Sequence, residues 1–224
     1  MRRCLKLRCD RYVQPDEFLA SAEALVRNLQ LGIKKAEALG GTSLVGYIPD
    51  SFGHISQMVT FVLCSTLRYS HVFPVFLQPQ LLLGFGINNA VSGRGLEGHY
   101  GSEVWWEGPD GSRVLFIFLK KWYCNGLDMP GGNVPDRYWE SKKNELQSAG
   151  AATSHLLLMN GCDHTSPDPN VGALISRAKP SNIRVVHSNM DDYIELVHRD
   201  IKKFVYPLSL SLFLSLSLSL SLSL

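Results

Sequence analysis

No two of Cys4, Cys9, Cys64, Cys124 and Cys162 stand at Cys-x-x-Cys spacing, and their number is odd. Neither a zinc knuckle nor a disulfide framework is suggested, which leans toward a reducing, cytoplasmic compartment. Strong charge of either sign is also lacking: 22 Lys and Arg against 20 Asp and Glu leave a net charge of +2. Such a balance makes no electrostatic case for a nucleic-acid partner. Residues 1–11 are basic and carry no motif, and residues 1–8 hold no apolar core of signal-peptide length, so no leader is expected there. No stretch reads as a membrane span. What is present is 45% apolar residues in a chain of 224, enough for one domain with a substantial core.

The most informative stretch is 46–58. Apolar residues from Val45 to Ile48 predict a buried strand. Pro49 has no N–H to give a ladder, so it ends the strand and stiffens the turn. Asp50 then stands just past the carboxyl end of a strand, where α/β folds place their chemistry. Read more plainly, Pro49-Asp50-Ser51 is a turn closed by a side-chain-to-backbone bond. Upstream, Leu25, Leu29, Ile33 and Ala36 recur at spacings of three and four, which predicts a helix over 21–39. Ser21 is its expected N-cap, and Gly40-Gly41 its stop. Helix and strand together make one βα-type layer. Asp16, in the loop before the helix, is either solvated or part of a site rim.

Residues 59–78 break the pattern, being apolar, β-prone and without helical period. The segment begins with Val59 (codon GTN) and ends with Gln78 (CAG is one of its codons), after a run of residues with pyrimidine-rich codons. We read it as a retained intron translated in frame; a single uninterrupted exon across it in genomic DNA would sink that reading. A greasy insertion of this kind is otherwise an aggregation hazard. From Tyr206 the chain passes into Ser-Leu alternation to Leu224, which a CT dinucleotide tract encodes.

Between these segments, 86–91 reads as a strand followed by Gly93-Arg94-Gly95, where an arginine between glycines can reach into a cleft. An ordinary surface arginine has the same appearance. Trp105 and Trp106 end a strand before a tight turn, and 113–119 is a strongly apolar strand. The aromatic loop Trp122-Tyr123 suits stacking on the apolar face of a pyranose and suits core packing equally. A helix is expected over 138–149. His155–Met159 reads as a buried strand, delivering Asn160-Gly161-Cys162-Asp163-His164 to a loop and so placing a second carboxylate at a strand end. His164 could orient a substrate or ligate a metal; strand alternation favours a supporting role. Helices are expected over 171–178 and 190–203, with a short strand at 183–186 between them.

Pro49-Asp50-Ser51-Phe52-Gly53-His54, followed by Gln57-Met58, resembles the nucleophile motif of the glycoside hydrolase family 38 α-mannosidases. Gln14-Pro15-Asp16-Glu17 ahead of a helix holding Arg27-Asn28-Leu29 is similar to the same family. Deleting 59–78 restores the family's continuation through Pro79-Gln80 into a helix. The resemblance covers about 12–58 and 79–203. It implies an α/β fold, an incomplete (β/α) barrel-like catalytic domain, and retaining hydrolysis of an α-mannoside or mannose-containing glycan. It further implies Asp50 as nucleophile and Asp163 as acid/base, with Arg94, Tyr123 and His164 at the sugar. Family members hold a Zn2+ of which the nucleophile, here Asp50, is one ligand. No histidine precedes His54, so the family's N-terminal His-x-Asp motif has no counterpart, and an inactive chain is the expectation. The alternatives are a non-catalytic carbohydrate-binding or interaction fragment, and a mispredicted gene model with no stable product.

Overall fold

The computed structural model describes residues 11–52, 78–94, 100–108, 111–131, 134–201 and 207–208. His54, Gln57, Met58, nearly all of the 59–78 segment and the tail past Leu208 lie outside them. The described residues fall into two compact units. One lies within Met1–Glu97, Val104–Phe118 and Val205–Leu224, the other within Gly98–Glu103 and Leu119–Phe204.

In the first unit, helix α1 spans Ala22–Ala38, with the Ser21 hydroxyl accepting from the Ala24 N–H as an N-cap. Its buried stripe is Leu25, Leu29, Gly32 and Ala36; Gly32 rather than Ile33 fills the third position. The reason is a close approach. A Cβ at Gly32 would lie 2.4 Å from the backbone carbon of Arg11. The chain at 11–13 runs across this groove, and the Asn28 carboxamide exchanges two hydrogen bonds with the backbone of Val13, at 2.9 and 2.7 Å. Gly40 and Gly41, both at positive φ, close the helix: their N–H groups return to Glu37 and Ala36, which satisfies two otherwise orphaned carbonyls.

The strands β1 (Gly46–Ile48), β2 (Asn89–Ser92), β3 (Glu103–Glu107), β4 (Arg113–Phe118) and β5 (Pro207–Leu208) form one sheet in the order β1-β2-β4-β3-β5. β1, β2 and β4 run parallel, and β3 pairs in parallel with β5. β3 and β4 are joined only by 108–112, a connection short enough for an antiparallel pair alone, so the sheet is mixed. The chain is therefore α/β. Helix α2 (Gln78–Gly84) has Pro79 near its start, where the missing N–H costs nothing. Leu25 and Leu29 of α1 and Leu81 and Leu82 of α2 pack on Ile87, Ala90, Val104, Trp106, Val114 and Phe116 as one core. Each fully buried aliphatic or aromatic side chain there contributes about 1.5–3 kcal/mol.

The second unit holds helices α3 (Asp136–Ser148), α4 (Val171–Arg177) and α5 (Met190–Ile201). Trp139 of α3, Leu174 of α4 and Val134 pack together. The expected strands at 155–159 and 183–186 do not form: both stretches are irregular. In the first, the apolar run is half-buried rather than buried. Two of its backbone groups, the Leu157 carbonyl and the Met159 N–H, bond to the Asn125 side chain in place of a neighbouring strand.

Glu103 is buried in this unit. Its carboxylate accepts the Ala152 N–H at 2.6 Å and the Tyr193 hydroxyl at 3.1 Å. Burial pushes the carboxyl above its ordinary value, and these hydrogen bonds offset the effect only in part. The folded state therefore holds this proton more tightly than the unfolded chain does. The resulting stability is fully present below the ordinary glutamate value, about 4.3, and is lost as pH rises through the higher folded value. Glu103→Gln should flatten that decline. The urea midpoint of the wild type should fall between pH 4.5 and 8 by more than that of the variant; parallel profiles would show that the burial is relieved in solution.

Candidate functional site

Parallel register builds the first part of the site. Ile48 lies opposite Ser92, and one step on the Gly93 N–H still reaches the Pro49 carbonyl at 2.8 Å. One further step on each strand brings Asp50 and Arg94 together, and the Arg94 Nε donates to the Asp50 Oδ1. The arginine's start is fixed locally, because the Ser92 hydroxyl accepts the Arg94 N–H and donates to its carbonyl. Both charged side chains remain about one-third exposed, 36% for Arg94 and 33% for Asp50. The carboxylate is thus oriented by a cation yet open to a ligand.

Phe52, 62% exposed, lies under the guanidinium, with the Arg94 Cζ 4.3 Å from its ring centroid. A cation–π contact at such an exposed position is worth about 0.5–1 kcal/mol. Sequence reading gave Phe52 no role; its place two residues past Asp50, in the same turn, was the available signal. Asp16 is tied to the same turn. Its Oδ1 accepts the Phe52 N–H at 2.9 Å, and the Ser51 hydroxyl donates to the Pro15 carbonyl at 2.9 Å. The 15–16 loop thereby holds the 50–52 turn in place.

A separate cluster lies in the other unit. The Tyr123 hydroxyl donates to the Asp163 Oδ2 at 3.1 Å, and the Trp122 and Tyr123 rings lie 4.8 Å apart. Two segments meet here rung by rung. The Gly126 N–H bonds the Met159 carbonyl at 2.9 Å, and the Asn125 carboxamide takes the Met159 N–H and the Leu157 carbonyl at 2.7 and 3.0 Å. Cys124 and Cys162 form a disulfide. This corrects the reading that no disulfide is suggested. Spacing could not reveal a pair separated by 38 residues. His164 follows Asp163 at φ 60° and is exposed; with no strand before it, the alternation argument does not apply.

Asp50 and Arg94 thus meet in one unit, and Tyr123 and Asp163 in the other, with His164 beside Asp163. Among the described residues no three His, Cys, Asp or Glu side chains gather as a metal site requires, and the Asp50 carboxylate faces a cation. The described donor set does not fit a zinc site. No helix among the described residues is long and apolar enough to cross a membrane.

No protein-family model matches the chain. It is 35% identical, across an alignment of 209 residues, to a protein of Halalkalibacterium halodurans named "Putative mannosylglycerate hydrolase". That alignment takes in 86% of this chain and 21% of that protein. The fold is similar to the crystal structure of an alpha-mannosidase from Enterococcus faecalis V583, with a TM-score of 0.68 and 27% identity over 85% of this chain and 20% of that one. The chain spans about a fifth of the length of both of these proteins.

Proposed function

The chain is a partial α-mannosidase-like domain, and from that premise we propose that it carries the two carboxylates of a retaining mannoside hydrolase. In this reading the described sheet is one portion of a barrel-like catalytic domain. The substrate is an α-mannoside or a mannose-containing glycan, and a mannosylated glycerate is one such substrate.

The observation that supports the reading best is the strand register that sets the Asp50 carboxylate against Arg94 at the carboxyl ends of β1 and β2. A nucleophilic carboxylate must be aimed, and a guanidinium hydrogen bond aims it. By resemblance Asp50 takes the role of nucleophile, and Asp163, held by the Tyr123 hydroxyl, the role of the acid/base that protonates the leaving oxygen and then deprotonates water, with net retention. Arg94, Tyr123 and His164 are the sugar contacts assigned in the same reading. A Zn2+ belongs to this reading by resemblance, with Asp50 as one ligand. The described residues supply no others, so no step is routed through it. On that ground we infer that the chain alone turns over no mannoside.

Saturation-transfer NMR with 4-nitrophenyl α-mannoside, run beside a nitrophenol-release assay with and without added Zn2+, tests both points. The expected result is transfer to the mannoside, weakened at least about threefold in Asp50→Ala, with no nitrophenol released. Absence of transfer would overturn the site. Zinc-dependent release that disappears in Asp50→Ala would keep the hydrolase and overturn the inactivity.

A further inference from the structure

The Cys124–Cys162 disulfide sits between the backbone rungs at 125–126 and 157–159 and the Tyr123–Asp163 hydrogen bond. Asp163 itself is exposed. A hydrogen bond from a tyrosine to an exposed carboxylate competes with water and adds little on its own. Its geometry must come from the frame that brings the two segments together. On the far side that frame is Asn125 and Gly126. On the near side it is the disulfide, whose two half-cystines immediately neighbour Tyr123 and Asp163. The turn carrying Asp163 is closed locally, with the Thr165 hydroxyl donating to the Cys162 carbonyl at 2.7 Å and accepting the Cys162 N–H at 3.0 Å. That closure fixes the turn's shape but not its place against Tyr123.

We propose that the disulfide is a redox-sensitive positioning device for Asp163. Oxidised, it holds the carboxylate at the Tyr123 hydroxyl; reduced, it releases it. Both cysteines are half-buried, not sealed, so a small thiol can reach them. A thiolate of a dithiol reductant attacks one sulfur, giving a mixed disulfide. The other protein sulfur leaves as a thiolate in that step, and the reductant's second thiol then attacks the reductant's own sulfur in the mixed disulfide, displacing the protein sulfur first attacked. Two electrons and two protons pass to Cys124 and Cys162, and the reductant leaves as its own disulfide. The reading of Asp163 as acid/base enters only in what the switch would control.

Coupling between the two bonds must be reciprocal. If the disulfide supports the Tyr123–Asp163 bond, that bond supports the disulfide. The full chain, equilibrated in glutathione buffers of graded ratio, would be quenched by alkylation and the peptides holding Cys124 and Cys162 quantified by mass. Tyr123→Phe should shift the equilibrium about threefold toward the dithiol, the value of a weak hydrogen bond. Tyr138→Phe, which removes a hydroxyl bonded to Asp128 in the same unit, should leave it unchanged. Full alkylation of both cysteines without reductant would overturn the proposal, as would a Tyr123→Phe titration that superimposes on the wild type. Neither readout depends on hydrolysis, so failure of the hydrolase reading leaves the result intact.

Discussion

Glu17→Gln lowers the unfolding free energy by about 3–5 kcal/mol, read as a fall in the urea midpoint at unchanged slope. Arg11 and Glu17 are 1% and 0% exposed, and the Arg11 Nη1 donates to the Glu17 Oε1 at 2.9 Å. Removing the carboxylate's charge takes from a buried guanidinium its anionic partner at 2.9 Å, in a place water does not reach. The segment cannot swing out cheaply to solvate it. Tyr12 and Val13 are bonded to Asn28 of α1, and the backbone at Arg11 lies against Gly32. The double variant Arg11→Met/Glu17→Leu should recover most of the loss, because an apolar pair of similar volume removes both charges at once. A single variant within about 1 kcal/mol of the wild type would mean the pair is solvated and the 11–17 segment is not part of the fold.

That ion pair marks where sequence reading stops. Arg11 was grouped with a basic N-terminal stretch, because nothing local separates a solvated arginine from a buried one; only its partner, across a turn, does. Elements defined by their own repeats were legible. The stripe of α1 and its glycine stop, and the apolar runs of β1, β2 and β4, all formed near their expected places. The meeting of Asp50 with Arg94 was not read from the sequence; it follows from the register, since each lies two residues past a paired position. Contacts between distant loops were not legible. The apolar run at 155–159 reads as a strand by composition, yet two of its backbone groups bond to Asn125, and a carboxamide standing in for a strand leaves no periodicity. Asn28 with Val13, and Asn89 with Leu44 and Gly46, repeat the device. The Cys124–Cys162 pair was missed for the same reason.

Gly46→Ala should cost about 1–3 kcal/mol and, more tellingly, separate Asp50 from Arg94. A Cβ at Gly46 would lie 2.6 Å from the Asn89 backbone oxygen and 3.0 Å from a methyl of Leu82. Neither neighbour can retreat. Asn89 is bound into β2, and its side chain holds the Gly46 N–H and the Leu44 carbonyl at 3.2 and 3.0 Å; Leu82 is fully buried in the core. The overlap is relieved only by moving β1 away from β2, which slackens the Ile48–Ser92 register from which the Asp50–Arg94 pair is built. Gly40→Ala is the control. It places a side chain at φ +115° but with nothing within 4 Å, so it costs about 1–3 kcal/mol of backbone strain and leaves the sheet alone. The Arg94 Nε–H resonance reports the difference. It should be protected from exchange in the wild type and in Gly40→Ala, and lose that protection in Gly46→Ala. Equal protection in all three would show that the carboxylate and the guanidinium find each other without the strands, and the register argument for the site would fall.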